Sequence, residues 1–482
     1  MASALDAAGF SQATIGKAEG IVRRFAKHTN LQLSGRPFRV DMQGVVGAAL
    51  RTLLSELGAR EIGHGEASPG LLVIGKRGEA KLDNAPLPDR GDASGRIDFA
   101  GKHMPTSRTM ATRLAESGLV NGLRVGIAMT LEPKTANLAL LLASAGAKVA
   151  VYAHPDETDA AVAAALATRG IVVDADANLS GAEERAAALS WLKRGFDVVV
   201  DDGSHLVRLA HEAAPELVTM WIGVTEETTS GLTPLRAMEA EGVLMTPVIA
   251  VNDAATKTFF DNRFGTGQSC VFAIADVLEG AGLSLRDQPA LVLGFGPVGQ
   301  GVAAHLHALG ARVAVAEPDP IRALLAIHAG FTVGSVESLA PGALVVSATG
   351  VRGSIKSATL SAAKIVAVAG GVPGEVDLEG AVFEPVAPHV ERVGETLVLD
   401  RGGCINITAA EGNPIEIMDL SFATQLAALE YLLTARPGIG VHPLPLEDVD
   451  RVARAALIAR GLPAGLALAS ASAGDWHSPR YQ

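Results

Sequence analysis

Ala290-Leu291-Val292-Leu293-Gly294-Phe295-Gly296-Pro297-Val298-Gly299 is the stretch that decides the fold. Four apolar residues run straight into a glycine-rich turn, and Val302 to Leu309 then repeats its apolar residues with helical spacing. A second apolar run, Arg312-Val313-Ala314-Val315-Ala316, follows at once. Strand, tight turn, helix and strand together form the unit that binds dinucleotides. Gly294 permits the turn, Gly296 lets the backbone approach a pyrophosphate, and Gly299 allows helix and strand to pack closely. Free N–H groups in the first helical turn, which holds Val298, favour the phosphates. Glu317 closes the second strand 18 residues after Gly299, where a carboxylate takes the ribose hydroxyls and repels a 2′-phosphate. Three spaced glycines mean little in a chain with 53 of them. The flanking strands and helix turn the pattern into an expectation of NAD rather than NADP.

The same rhythm continues on either side. Arg124-Val125-Gly126-Ile127, a helix from Thr135 to Ala145 and Lys148 to Tyr152 form another strand-helix-strand run, and Asp197 to Val200 and Val243 to Met245 add candidate strands. Short apolar runs between alanine-rich helices predict parallel sheets covered on both faces. The expected fold class is α/β, with two doubly wound parallel-sheet domains, an N-terminal α/β extension and a C-terminal tail. The boundaries read as 1–95 for the extension, 96–265 for a substrate domain completed by about 412–440, 266–411 for the Rossmann NAD domain, and 441–482 for the tail. In the extension, Phe38 to Val40 and Leu71 to Ile74 are candidate strands with a helix from Gly44 to Leu57 between them. Asp83 to Arg96, rich in Asp, Pro, Gly and Ser, reads as a linker.

With 482 residues the chain is too long for one core. A net charge of -12 argues against nucleic acid as a partner, because phosphate binding needs a surplus of Lys and Arg. Two cysteines, Cys270 and Cys404, supply neither a disulfide framework nor a cysteine-rich zinc site, and both read as buried small side chains. No metal site is expected. The N-terminus lacks a signal-peptide pattern and no apolar run reaches the ~18 residues of a membrane span, so a cytoplasmic protein without membrane contact is expected.

Motifs outside the glycine loop carry more specific information. They are Asp201-Asp202-Gly203, Gly223-Val224-Thr225-Glu226-Glu227-Thr228-Thr229-Ser230-Gly231, Val251-Asn252-Asp253-Ala254-Ala255-Thr256-Lys257 and Phe260-Asp261-Asn262. Glu317-Pro318-Asp319-Pro320, Asn406, Gly412-Asn413-Pro414, Met418 and Ser421-Phe422 follow. In order and spacing, from about Ile97 to about Leu457, these resemble the S-adenosyl-L-homocysteine hydrolase family. The resemblance implies that bound NAD oxidises a ribose 3′-hydroxyl to a ketone. The acidified C4′ proton is then removed, the 5′-substituent leaves, water adds to the 4′,5′-alkene, and the ketone is reduced again. It further implies catalytic roles for Lys257, Asp261 and Asp202, with Glu227 on the ribose hydroxyls. Thr228, Thr229, Ser230, Asn262, Thr349, Gly350 and Asn406 match cofactor contacts, as does Tyr481 in the C-terminal Trp476-His477-Ser478-Pro479-Arg480-Tyr481. Met418 and Phe422 match the substrate side. A homo-oligomer, tetramer or dimer, is implied as well. Independently of the family, Lys257 and Asp261 stand at i, i+4 and would share one face of a helix.

The departures lie on one side of the implied pocket. Thr130 falls where the family has a catalytic histidine, Glu132 on a threonine, and Lys134 on the residue that binds adenine. Gly371 and Asn413 replace two further family histidines. Groups serving NAD, the 3′-hydroxyl and C4′ are retained, whereas those serving the 5′-side are rebuilt. His205, near Asp202 in sequence, is a candidate replacement or a solvated loop residue. The expected activity is elimination of the 5′-substituent of an adenine nucleoside, specifically a 5′-dehydratase of the angustmycin C to angustmycin A type. The alternatives are a divergent S-adenosyl-L-homocysteine hydrolase and a non-catalytic NAD-binding regulatory protein.

Overall fold

The computed structural model of the chain describes residues 3–66 and 68–465. It contains three sheets. Seven parallel strands form the first, ordered in space Gly440–Pro443, Pro247–Ala250, Gly223–Glu226, Val198–Asp201, Arg124–Ala128, Lys148–Tyr152 and Val172–Asp174. The second has eight strands, with Pro289–Leu293 between Arg312–Ala316 and Leu344–Ser347 and a hairpin-connected antiparallel margin ending at Glu384–Ala387. The third, of five strands, lies within the N-terminal extension. The expected α/β class with parallel Rossmann-like sheets is what the chain adopts.

Strand order places the functional edges. In the first sheet the chain runs outward from Arg124–Ala128 in one direction, then returns to start again at Val198–Asp201 on its other side. Such a switch point opens a crevice at the carboxyl edge, where open α/β sheets bind ligands. The registers align Tyr152, Ala128, Asp201, Glu226 and Ala250 across that edge. Asp202 and Glu227 therefore emerge side by side just beyond it, with Asn252 in the turn that follows the next strand. The second sheet repeats the device: Leu293 is level with Ala316 and Ser347, so the Gly294 turn, Glu317 and Thr349 share one edge.

The helix Ile415–Ala435 joins these units. Most of its length is buried, and it packs on the helices Pro105–Ser117 and Leu446–Ala459. Buried Asp419 accepts the Thr106 and Ser107 amides at 3.0 and 2.7 Å, satisfying free donors at the start of Pro105–Ser117. Among the described residues no helix is long and apolar enough to cross a membrane.

Several local expectations need correction. Val243 to Met245 is not a strand: the Val243 and Leu244 amides both cap the preceding helix at the Met238 carbonyl, and the strand begins at Pro247. The apparent linker carries a short strand, Ala85–Pro86, and then a helix from Ala93 whose first turn is capped by Asp92, a residue type shared by caps and loops. Residues beyond 440 do not begin a separate tail, since Gly440–Pro443 supplies the edge strand of the first sheet and Leu446–Ala459 packs on its helices.

Candidate active site

The glycine turn has the shape its sequence requires. Gly294 has φ +89°, a left-handed conformation that disfavours side chains. A Cβ on Gly299 would lie 2.0 Å from the Gly294 carbonyl oxygen, so helix and strand could not pack as they do. Gly296 differs, because a Cβ there would meet nothing nearer than Arg322 Nη1 at 3.7 Å. Packing within the protein does not demand glycine at that position, but a pyrophosphate lying against the backbone does. Glu317 accepts the Phe295 and Asp319 amides at 2.5 and 2.8 Å, which holds its carboxylate at the turn. Thr349 lies across the turn, with its methyl 3.4 Å from the Cβ position of Gly294. Val298 stands in the first turn of Pro297–Ala308, and Gly350 follows Thr349 at φ +61°. Glycine turn, helix start and the Glu317 carboxylate are thus brought together at one sheet edge.

Lys257 and Asp261 meet in a different helix type from the one expected. Residues Thr258–Gly265 form a π-helix, whose wider turn brings both i+4 and i+5 to Lys257. Lys257 Nζ lies 2.8 Å from Asp261 Oδ2 and donates to Asn262 Oδ1 at 2.7 Å. Asn262, matched to the cofactor, thus orients the lysine and also donates to Asn252 Oδ1 at 3.1 Å. Burial alone would push Lys257 down, but Asp261 and Glu227 outweigh it and hold the amine above its ordinary value. Asn413 supports the pair from the far side through four side-chain hydrogen bonds. It donates to Asp261 at 2.6 Å and Thr266 at 3.0 Å, and accepts from Ser269 at 2.7 Å and Asn406 at 2.9 Å. Matched to the substrate side, Asn413 is instead committed to orienting Asp261.

Around this cation stand carboxyls held near neutrality. Burial raises Asp202 to about 6 against the pull of Lys257, and raises Glu227 to about 7 for the same reason. Glu227 accepts from Ser421 Oγ and from Gln425 Nε2 at 2.6 Å, both on the long joining helix. Glu226, fully buried and pushed well up by burial and Asp201, accepts from the Gly203 amide at 3.0 Å and from the amide and hydroxyl of Thr228. It ties the Asp202 turn to the start of the helix Thr229–Ala240, where Thr228 is the cap and Ser230 donates to it. Thr229 is exposed. No group of three or more His, Cys, Asp or Glu side chains among the described residues could hold a metal ion.

The remaining expected residues divide. Thr130 lies in the loop beyond Arg124–Ala128 at the switch point. Glu132 caps the helix Pro133–Ser144 through both carboxylate oxygens, and its Oε2 also lies 2.7 Å from the Nζ of Lys134, which reaches the Glu411 carbonyl as well. Both charges are therefore satisfied inside the protein. A Cβ on Gly371 would meet only Ser230 Oγ at 3.9 Å, so the missing side chain leaves open space where the two sheet edges face each other. Met418 is half-buried, whereas Phe422 is fully buried in the core and presents no surface to a ligand. Tyr481 lies outside the described residues.

Three features escaped the sequence reading. The N-terminal extension reaches the site: Asn30, in a left-handed cap, donates to the carbonyls of Glu411 and Asn413 at 3.1 and 3.4 Å, and Arg90 pairs with Glu411 at 2.6 Å. Gln425 supports Glu227 from one helical turn beyond the motif residue Ser421. His154, just past the strand Lys148–Tyr152, pairs with Glu184 at 2.7 Å and lies near enough to Asp202 to lower its pKa. Only its position after a strand end could have marked it. His205 is bound to Arg208 at 3.1 Å and pushed down by burial to about 4, so it is neutral at pH 7.

Residues 262–412 match the family model described as S-adenosyl-L-homocysteine hydrolase, NAD binding domain. An S-inosyl-L-homocysteine hydrolase of Methanopyrus kandleri is 37% identical over 413 residues, covering 81% of this chain and 95% of that protein. An adenosylhomocysteinase of Saccharolobus solfataricus is 37% identical, over 76% of this chain and 91% of that protein. One from Thermotoga maritima is 35% identical, over 76% and 94%.

Proposed function

The chain belongs to the S-adenosyl-L-homocysteine hydrolase family and uses NAD, and on that premise we propose that it eliminates the 5′-substituent of an adenine nucleoside. The specific reaction is loss of the 5′-hydroxyl as water to leave a 4′,5′-alkene, as in the conversion of angustmycin C to angustmycin A. Bound NAD supplies reversible oxidation of the 3′-hydroxyl, and the resulting ketone acidifies the hydrogen on C4′. Lys257, oriented by Asp261 and Asn262, handles the 3′-hydroxyl proton. Glu227 holds the ribose hydroxyls. Asp202, at about 6, is ionised at pH 7 yet basic enough to take the C4′ proton. Protonating Asp202 or Glu227 weakens the field that keeps Lys257 charged, so proton transfers within the cluster are linked.

One observation carries the reading. The cluster around Lys257 is complete, with Lys257, Asp261 and Glu227 buried, while the positions matching family histidines hold Thr130, the open space at Gly371, and an Asn413 turned toward Asp261. Oxidation and deprotonation are supported, and the side that would manage a homocysteine thiol is not. Exposed apolar side chains Ile321, Leu324 and Ile327 on Pro320–His328 support a homo-oligomer.

Incubation with NAD and a ketohexose nucleoside, adenosine or S-adenosylhomocysteine, followed by mass analysis, tests the proposal. A nucleoside lighter by one water supports it. Released homocysteine with adenosine would instead establish hydrolysis, the second reading, which the names of relatives at 35–37% identity favour. Absence of product and of reduced-cofactor absorbance with every substrate would leave an NAD-binding regulatory protein.

A further inference from the structure

Elimination of a 5′-hydroxyl needs a proton on the departing oxygen, because hydroxide is a poor leaving group. Lys257 is poorly placed to supply it, since its Nζ is held by Asp261 and Asn262 on the side engaged with the 3′-hydroxyl in the proposed elimination. His154 is better placed. Its Nδ1 is 2.7 Å from Glu184 Oε1 on the helix Gly181–Leu192, while its Nε2 is buried without any hydrogen-bond partner. A buried ring nitrogen without a partner costs free energy unless something else completes it.

The surroundings fit a ligand-facing imidazole. Tyr152 and His205 flank the ring edge-on, with centroids 5.5 and 5.2 Å away, and the Tyr152 hydroxyl is also buried and unpartnered. His205 is engaged by Arg208 and does not compete for the role. Glu157 follows in the same loop, and Asp202 lies across the switch point. Glu184 fixes the ring orientation, as a carboxylate does for a catalytic histidine.

We propose that His154, positioned by Glu184, is the general acid that protonates the 5′-leaving group. The inference rests on the elimination proposed above. Once C3′ is a ketone, Asp202 takes the C4′ proton, and the electron pair of that bond forms the C4′–C5′ double bond. The C5′–O bond breaks with its pair on oxygen, which takes the proton from His154 Nε2 and leaves as water. The step itself is redox-neutral. His154, its side chain 21% exposed, then regains a proton from solvent.

The test uses His154→Gln in the full-length protein with NAD and two nucleosides, one bearing a 5′-hydroxyl and one a 5′-chloride. Chloride departs without a proton. Dehydration by the variant should fall by roughly 10²-fold or more, while chloride release, reduced-cofactor absorbance and deuterium uptake at C4′ persist. Added imidazole should restore part of the dehydration in His154→Ala. Equal loss with both leaving groups would show a merely structural residue and overturn the assignment, as would undiminished dehydration. If the wild type itself shows neither cofactor reduction nor exchange at C4′, the proposed function falls first, and this role with it.

Discussion

Glu227→Gln offers a quantitative test of the site's electrostatics. Burial lifts the Glu227 carboxyl from 4.5 to about 7. The folded protein therefore keeps a proton that the unfolded chain releases about 2.5 pH units lower, at about 1.4 kcal/mol per unit. The linked stability is fully present below about pH 4.5 and is lost as the pH rises through about 7. Ionisation then costs on the order of 3 kcal/mol, of which about 2.5 kcal/mol falls between roughly pH 5 and pH 8.5. Glutamine cannot titrate. It also fits, because the Gln425 amide can turn so that its Oε1, now buried and unpartnered, accepts from the new side chain. Urea unfolding of the NAD-free proteins at the two pH values, followed through the fluorescence of Trp191 and Trp221, measures the difference, since both indoles are buried beside the same sheet. Wild type should lose about 2.5 kcal/mol relative to the variant on going to the higher pH. Parallel pH dependence, within about 0.5 kcal/mol, would refute the idea that burial holds a proton on Glu227 near neutrality.

Lys257→Met should lower cofactor reduction by about 10²–10⁴-fold without releasing NAD, as followed by absorbance and by cofactor retained on gel filtration. Gly299→Ala drives a methyl to 2.0 Å from the Gly294 carbonyl oxygen. It should destabilise the chain by about 1–3 kcal/mol and abolish NAD uptake in equilibrium dialysis, with far-UV circular dichroism unchanged. Asn30→Ala removes the ties to the Glu411 and Asn413 carbonyls. Exchange of the Gly412 amide, which donates to the Asn406 carbonyl, should quicken by about fivefold, for roughly 1 kcal/mol of lost hydrogen bonding, while Lys257→Met should leave that exchange slow.

Much of this molecule was legible one segment at a time. Strand, glycine turn and helix were readable from Ala290 to Leu309 because each conformational demand falls on neighbouring residues: a left-handed Gly294, a Cβ-free Gly299 and an apolar strand before them. Failures came where one residue type serves two purposes. Asp92 looked like part of a linker and caps a helix. The run Val243 to Met245 has strand composition, yet its amides close a helix end.

Sequence alone determined the α/β class, the NAD loop and the pairing of Lys257 with Asp261, since these depend on residues close together in the chain. Only the tertiary structure decided what those residues face. The π-turn added Asn262 to Lys257, and Asn413 came to Asp261 from 152 positions away. Burial by the whole fold, rather than any local motif, lifted Asp202 and Glu227 toward neutrality. The N-terminal extension acquired a purpose through Asn30 and Arg90 at the Glu411 to Asn413 loop, and the order of strands brought His154 to the same sheet edge as Asp202, within electrostatic reach of it. A spacing rule reads contacts a helical turn or a strand length apart. Dielectric surroundings and the meeting of distant loops depend on how every layer packs, and that information is spread across the whole chain.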